Sequence, residues 1–256
     1  MFYDQGSRMT IKTGLTAMAA VLSTAAAAPA MADQTQHDIP PLSEWSYNTL
    51  YEQGGLHADN LMGAEVFSKG GEEVGSVENI LINDQNQIQA IIAQVGGVWD
   101  IGDTHILVPW SETTLTEDGV KIPVNEDNAD EYGLFSKDSI TADALNNTQQ
   151  VSDNVEAKGG VWKASDLLDD YVSLADGTGY GYLTDILFTT DGNIQSIIVD
   201  ASESDNVTAG TYAYPFYGYG YGWSPADTSY VLSYDVNDLK NMTPFDDDQY
   251  EDQLDD

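Results

Sequence analysis

The sequence predicts an all-β protein built from two small β-barrels in tandem, with short peripheral helices. The main observation is an internal repeat: the segment 61–110 aligns without a gap to the segment 167–216, which lies 106 positions further on. The identical positions hold turn-forming and aliphatic residues, which set chain direction and core packing rather than chemistry. The repeat therefore indicates one scaffold used twice. The identical pairs are Leu61/Leu167, Val66/Val172, Gly71/Gly177, Gly75/Gly181, Ile80/Ile186, Leu81/Leu187, Ile88/Ile194, Gln89/Gln195, Ile91/Ile197, Ile92/Ile198 and Pro109/Pro215.

The N-terminus is typical of an export signal. Arg8 and Lys12 precede an apolar, alanine-rich stretch, and Ala30-Met31-Ala32 is a small-x-small cleavage pattern. We expect residues 1–32 to be a signal peptide that is cleaved after Ala32, with Met9 as an alternative start. A membrane anchor is the other interpretation, but the stretch is shorter than the roughly 20 apolar residues that span a bilayer.

These features predict a periplasmic or secreted protein with no membrane span after cleavage. The chain contains no cysteine, so we expect neither disulfides nor a lipid-modified cysteine.

The composition is strongly acidic, with 43 Asp and Glu against 8 Lys and Arg and a net charge of −35. Such a field repels nucleic acid and anionic lipid, so we expect no nucleic-acid partner. The acids could form a docking surface for a basic partner or bind cations. Because they are spread along the whole chain, a solvated acidic surface of the kind found in halotolerant proteins is the favoured interpretation.

The first predicted domain covers residues 60–125 and follows an extended leader at 33–59. Two β-branched runs, Val77–Ile82 and Ile88–Val95, flank a polar turn, which is the pattern of a hairpin. Shorter strands are expected around Pro109 and after the Asp118-Gly119 turn.

The second predicted domain covers residues 159–245. Its aliphatic runs are joined by Asp191-Gly192, a strong hairpin signal. An acidic linker at 126–158 precedes this domain and an acidic tail at 246–256 follows it. Closure of each sheet into a barrel would hide its edges.

Both units resemble the PRC-barrel domain, the small β-barrel named for the photosynthetic reaction centre H subunit and also found in a ribosome-maturation factor. This resemblance implies a non-enzymatic module that acts through protein contacts, with no catalytic residue set. Asp169 departs from the pattern, because it replaces the glycine that Gly63 supplies in the first unit. Photosynthetic and ribosomal roles do not carry over to an exported chain. The resemblance rests on Leu61, Gly63, Val66, Gly71, Gly75, Val77, the strands 78–82 and 88–93, and Val108-Pro109-Trp110, and in the second unit on Val172, Gly177, Gly181, 185–188, 194–199, Tyr214-Pro215-Phe216 and 238–245.

Few residue patterns indicate a reactive or metal site. The histidines His37, His57 and His105 are scattered, and none has a second ligand at the spacing of a zinc or nucleophile site. Three acidic clusters could bind calcium, but none fits the ordered calcium loop, and a solvated surface is the favoured interpretation. We therefore expect no catalytic, cofactor or metal site. The clusters are Asp166/Asp169/Asp170, Glu126/Asp127/Asp130/Glu131 and Asp246/Asp247/Asp248.

The segment 212–230 alternates aromatic residues with glycine and has no counterpart after Trp110 in the first unit. Aromatic rings on a flexible backbone can bury much area in a partner at small entropic cost. A mobile loop with a few rings folded onto the barrel is the alternative. The predicted partner-binding residues are Tyr214, Phe216, Tyr217, Tyr219, Tyr221 and Trp223.

The leading functional hypothesis is an exported adaptor that binds an envelope or secreted protein, or a second copy of itself, through this segment. Recognition of carbohydrate or cell wall by the same aromatic residues is the alternative. A hydrolase that uses two carboxylates is a third hypothesis, and nothing in the sequence brings two such carboxylates together.

Overall fold

Strands dominate the computed structural model, which describes residues 39–96, 104–125, 127–128, 137–141, 145–203 and 207–254. This confirms the predicted all-β class with short helices. The helices are α1 (Asn48–Gln53), α2 (Ala58–Leu61) and α3 (Val236–Leu239), with single 3₁₀ turns at Leu42–Glu44, Trp110–Glu112, Ala164–Asp166 and Asp247–Gln249. The strands are β1 (Leu56–His57), β2 (Glu65–Phe67), β3 (Glu73–Asn83), β4 (Ile88–Val95), β5 (Thr104–Pro109), β6 (Thr114–Thr116), β7 (Gly119–Lys121), β8 (Lys137–Thr141), β9 (Gln149–Lys158), β10 (Val161–Lys163), β11 (Tyr171–Ser173), β12 (Gly179–Phe188), β13 (Ile194–Ala201), β14 (Gly210–Tyr214) and β15 (Ser229–Val231).

The strands form two sheets. The first sheet has the order β6-β7-β2-β3-β4-β5-β9-β8, and β10 also pairs with β3. The second has the order β14-β13-β12-β11-β15, and β1 also pairs with β12. Neither order returns to its starting strand in the described residues, so no closed barrel is found among them.

The two sheets repeat one another strand by strand and in register. β2 to β5 have counterparts in β11 to β14, 106 positions later. Gly75 lies across from Val95, as Gly181 lies across from Ala201, and the register shifts after Val77 and again after the equivalent Leu183. A parallel strand follows each meander, with β7 beside β2 and β15 beside β11.

The tips of the two long hairpins meet in a reciprocal contact. The backbone N–H of Ile88 donates to the oxygen of Gly192 at 2.8 Å, and the N–H of Ile194 donates to the oxygen of Asn86 at 2.9 Å. Gln87 Nε2 donates to Asn193 Oδ1 at 2.7 Å between them. Ile194 is the counterpart of Ile88, and Asn86 is the counterpart of Gly192, so the second bond is the symmetrical copy of the first. The two repeats are therefore related here by a local two-fold axis.

Each repeat also gives a short strand to the other. Leu56 in β1 lies across from Phe188 of the second sheet, and Trp162 in β10 lies across from Ile82 of the first. Leu56 and Trp162 are themselves 106 positions apart, as are Ile82 and Phe188, so the exchange is symmetrical. All four side chains are buried.

One hydrophobic core therefore lies between the two sheets and is built by both repeats. Ile80 and Ile91 of the first repeat and Ile186 and Ile197 of the second all belong to it. The segments predicted as separate domains, 60–125 and 159–245, thus contribute to the same core. Each alone would lack the strand that the other repeat supplies.

The outer face of each sheet is apolar as well. Neighbouring residues in a strand point to opposite faces, and in the central strands both neighbours are aliphatic. Leu81 and Ile92 form the outer face of the first sheet, where Val151, Val155 and Val161 cover them. The counterparts in the second sheet, Leu187 and Ile198, are covered by Leu50, Phe245 and Tyr250. Strands that bury both faces need a cover on each side.

This requirement explains two corrections to the predicted organisation. Residues 39–59 of the predicted extended leader fold into α1, β1 and the first turn of α2 against the second sheet. Within the predicted linker 126–158, β8 and β9 extend the first sheet through β5. Both segments are part of the fold because they cover apolar sheet faces.

The predicted acidic tail also contacts the body of the protein. Asp252 forms a parallel bridge with Gly55, whose N–H donates to the oxygen of Glu251 at 2.9 Å. The predicted signal segment 1–32 lies outside the described residues. No helix that the structure describes combines the length and apolar character needed to cross a bilayer.

Candidate functional site: an exposed tyrosine face

Two of the six aromatic residues predicted to bind a partner belong to the interior. Tyr214 is fully buried on β14, where its hydroxyl is hydrogen-bonded to that of Tyr180. Burial raises the pKa of Tyr214 and raises that of Tyr180 to about 12. Trp223 is 2% exposed, and its Nε1 donates to Asp170 Oδ2 at 2.6 Å. Tyr214 and Trp223 cannot contact a partner in this structure.

Three more of the predicted residues are half-buried. Phe216 stacks on Tyr230 with ring centroids 6.2 Å apart, and the hydroxyl of Tyr217 lies 2.7 Å from that of Tyr234. Tyr221 is also half-buried, whereas Tyr219 is 47% exposed. The Tyr/Gly segment is therefore mainly a source of core side chains, and Tyr219 is its one strongly exposed aromatic residue.

The backbone of this segment shows why it is folded inward. The N–H of Val231 in β15 donates to the oxygen of Gly222 at 2.9 Å, and a Cβ on Gly222 would collide with the oxygen of Val231. The segment thus runs beside β15, where β6 runs beside β7 in the first sheet. Its large rings fill the end of the core.

A different group of apolar side chains is exposed on the second sheet, and we call it the tyrosine face: Tyr171, Tyr182 and Val231. Their exposed fractions are 43%, 54% and 38%. Tyr171 lies directly across from Tyr182, and the two rings meet edge to face at 5.5 Å. Val231 lies across from Ser173, two residues after Tyr171, on the same side of the sheet.

Gly179 leaves room for the ring of Tyr171 in the tyrosine face. A Cβ at this position would collide with the hydroxyl of Tyr171, so the ring of Tyr171 lies along the sheet over Gly179. An aromatic ring that covers a strand glycine shields the backbone there and stays close to the sheet. The ring is therefore positioned before any partner arrives.

The first repeat provides an internal comparison for this surface. By strand register, Glu65 stands in the place of Tyr171, Ser76 in the place of Tyr182 and Lys121 in the place of Val231. The same scaffold thus carries polar side chains in one repeat and an aromatic pair in the other. The folding of the sheet does not require this pair to be aromatic.

The surroundings of the tyrosine face are acidic. Asp200 is exposed and lies directly across from Tyr182, while Asp169 and Asp170 immediately precede Tyr171. The five strands β11 to β15 contain no Lys, Arg or His. The surface therefore combines ring faces with negative charge.

A second cluster surrounds His57, whose side chain is 11% exposed. Its Nδ1 lies 2.5 Å from Asp185 Oδ2, and its Nε2 lies 3.5 Å from Asp247 Oδ1. The backbone N–H of His57 donates to Asp252 Oδ2 at 3.0 Å, and the ring packs edge-on against Tyr250 at 5.0 Å. The cluster joins β1, β12 and the C-terminal tail.

The charge of His57 depends on these carboxylates. Burial is the largest influence and lowers the pKa of the imidazole, but the hydrogen bond to Asp185 and the charges of Asp185, Asp247 and Asp252 together outweigh it. The pKa is thus raised above its usual value of 6.5. At the equivalent place on the first sheet, Lys163 of β10 stands for His57 and Asn79 of β3 stands for Asp185, so the histidine–carboxylate cluster is particular to this end of the molecule.

This cluster predicts a pH dependence of stability. Because the folded-state pKa of His57 exceeds the unfolded value, its contribution is fully present below about pH 6.5 and is lost as pH rises through the folded pKa. We expect the difference in unfolding free energy between the wild type and His57→Gln to shrink from pH 6 to pH 9, measured by urea denaturation. A difference that stays constant or grows with pH would contradict the assignment.

Residues 54–129 match the PRC-barrel domain family. The match runs from just before β1 to just after β7 and confirms the resemblance for that part of the chain. No curated protein matches the sequence.

The remaining predicted candidates lie apart from one another. His105 Nε2 is 2.7 Å from Glu78 Oε2 on the PRC-barrel segment, and His37 lies outside the described residues. In the described ranges, no three His, Cys, Asp or Glu side chains are arranged to hold a metal ion. Glu126, Asp130 and Glu131 of one acidic cluster lie outside those ranges.

Sequence reasoning missed both of the sites described above. His57 and Asp185 are 128 positions apart, and only the strand exchange brings them together. The tyrosine face did leave a signal, since Glu65 aligns with Tyr171 and Ser76 with Tyr182 in the gap-free repeat. A comparison of outward positions between the repeats would have found it.

Proposed function

We propose that this protein is a non-enzymatic adaptor of the cell envelope that binds another exported protein through the tyrosine face. In this proposal the second repeat is a PRC-barrel module like the matched segment 54–129, so that two such modules stand in tandem. Residues 1–32 direct the chain to the periplasm or the medium and are removed. The observation that carries the proposal is an exposed aromatic pair on one repeat where the other repeat is polar.

The energetics of the tyrosine face support a protein contact. Tyrosine rings supply large contact area at low conformational cost, and aromatic residues are enriched at the centres of interfaces. The ring of Tyr171 is already held over Gly179, so little ordering is needed on binding. Exposed aromatic pairs without such a role add an aggregation hazard to a soluble protein.

The charges around the face favour a cationic partner. Asp200 lies beside Tyr182, and the whole chain carries a net charge of −35. A Lys or Arg side chain over a tyrosine ring gains a cation–π interaction, and the neighbouring carboxylates add to the attraction. We therefore infer that the bound surface of the partner presents Arg or Lys next to an apolar contact.

Site-specific photo-crosslinking tests this function with a control inside the same chain. A photoreactive residue at position 182 is expected to form an adduct with an exported protein, identified by mass spectrometry, whose crosslinked segment is rich in Lys or Arg. The same residue in place of Ser76, the equivalent position of the first repeat, should give no such adduct. Raising the salt concentration should weaken the adduct, because electrostatic attraction between exposed charges is screened.

Three outcomes would overturn the proposal. They are the absence of an adduct at position 182, equal adducts at positions 76 and 182, and an adduct with an acidic protein or with a second copy of this chain. The triple variant Tyr171→Glu, Tyr182→Ser and Val231→Lys gives the second repeat the side chains that the first repeat carries at these three positions. It should fold normally and lose the partner.

A further inference from the structure

A cleft of about 580 Å³ lies between the segment around α1 and the C-terminal segment 238–249. Its aromatic lining comes from Trp45, Tyr47 and Tyr51, all half-buried. This volume falls within the range of about 300–1,000 Å³ that is typical of small-molecule sites. None of the residues of the tyrosine face takes part in it.

The aromatic floor of the cleft is rigid. Trp45 Nε1 donates to the backbone oxygen of Ala213 at 2.9 Å, which fixes the indole against the edge of β14. The N–H of Asp246 donates to the hydroxyl of Tyr51 at 2.9 Å, and the Tyr51 ring stacks on Phe245 with centroids 5.3 Å apart. The ring faces are therefore positioned in the absence of a ligand, which lowers the entropic cost of binding.

The rim of the cleft offers hydrogen-bond donors and acceptors together. The amides of Asn48 and Asn241 can donate and accept, and several hydroxyl groups do both. The carboxylates of Asp238 and Asp246 accept, and Gln249 Nε2 already donates to Asp246 Oδ2 at 2.5 Å. A ligand rich in hydroxyl groups can use both kinds of partner. An ammonium group only donates, so it can use the carboxylates and the amide oxygens but not the amide N–H groups.

The charge of the lining restricts the chemical class of the ligand further. The lining contains Asp238 and Asp246 but no Lys, Arg or His. A phosphorylated or carboxylated ligand would meet like charge and no counter-charge, which disfavours its binding. An uncharged ligand with hydroxyl groups and an apolar ring face suits the aromatic floor and the polar rim.

We propose that this cleft binds a short, neutral saccharide, with a sugar ring stacked on the Trp45 and Tyr51 side of the floor and its hydroxyl groups bonded to the rim. The site is independent of the proposed adaptor function, because it shares no residue with the tyrosine face. It would add attachment to a glycan to the binding of a protein partner.

A glycan array followed by isothermal titration of the purified full-length protein tests this proposal. We expect at least one neutral oligosaccharide on the array to bind. The titration probes are cellotetraose, maltotetraose and chitotetraose, and a galacturonic acid tetramer should not bind. Asn241→Ala should weaken binding about tenfold, as expected for loss of a well-placed polar contact. Trp45→Ala should abolish it.

Controls separate this site from the tyrosine face. Tyr182→Ser should leave saccharide affinity unchanged, and Asn241→Ala should leave the crosslink at position 182 unchanged. Asn241 is exposed, so this variant remains informative even if Trp45→Ala fails to fold. Three results would each overturn the proposal: no neutral glycan binds, Asn241→Ala leaves the affinity unchanged, or Tyr182→Ser abolishes saccharide binding.

Discussion

We expect Trp162→Ala to lower the free energy of unfolding by about 3–5 kcal/mol, the range for loss of a large buried aromatic side chain. Trp162 is 1% exposed, pairs with Ile82 of the first sheet through β10, and meets Trp223 edge to face at 5.0 Å. It therefore joins both repeats, and its loss should destabilise the whole molecule. Urea denaturation followed by circular dichroism measures the effect.

The symmetrical position supplies a second variant of the same kind. Leu56→Ala should cost about 2–5 kcal/mol, because Leu56 is fully buried and pairs with Phe188 of the second sheet. Trp162→Phe is the matched control: it keeps a ring, and the indole N–H of Trp162 has no hydrogen-bond partner among the described residues. A Trp162→Ala cost below about 1 kcal/mol, the level of many surface changes, would contradict the exchanged-strand arrangement.

Alanine at Gly75 or Gly181 should be the second most damaging change. A Cβ on Gly75 would collide with the backbone oxygen of Gln94, and one on Gly181 would collide with that of Asp200. The obstructing atoms belong to neighbouring strands and cannot rotate away, so the hairpin must distort. We expect each variant to lose about 3 kcal/mol, at the upper end of overpacking effects, as measured by chemical denaturation.

Two other glycines of the repeat isolate the steric cause. Gly71 has a φ of 90° and Gly177 a φ of 82°, but no atom lies within 4 Å of the Cβ that alanine would add. Gly71→Ala and Gly177→Ala should cost only about 1–2 kcal/mol, the strain of a left-handed residue. Equal losses at all four glycines would show that backbone conformation, not the close strand approach, explains their recurrence.

The local elements of the fold could be predicted from the sequence because their causes are local. The turn between β12 and β13 has Gly192 at a φ of 84°, and the equivalent turn has Asn86 at 62°, which are residues that tolerate this conformation. The β-branched runs on either side of each turn predicted the strands. The gap-free repeat correctly indicated that both sheets would have the same plan.

The arrangement of the two repeats could not be predicted in the same way. β1 and β10 have two and three residues, too few to show a periodic pattern, and their partners lie far away in the chain. The leader and the linker are polar as whole segments, although Leu50 and Val155 within them cover sheet faces. Burial of these few side chains depends on the tertiary structure alone.

The candidate site was misplaced for a related reason. Alternation of aromatic residues with glycine in 212–230 indicated an exposed loop, but this pattern does not distinguish rings that face a partner from rings that face the core. Trp223 is in the core, while Tyr182 on a regular strand is exposed. The difference between equivalent positions of the two repeats is the better indicator of function, because the shared scaffold is held constant.

The two equivalent repeats form one cooperative body by exchanging strands. Differential scanning calorimetry of the intact protein tests this most directly. A shared core predicts a single transition whose calorimetric and van't Hoff enthalpies agree, and Trp162→Ala should shift that whole transition to lower temperature. Two separate transitions, or a shift of only part of the heat absorption in the variant, would contradict it.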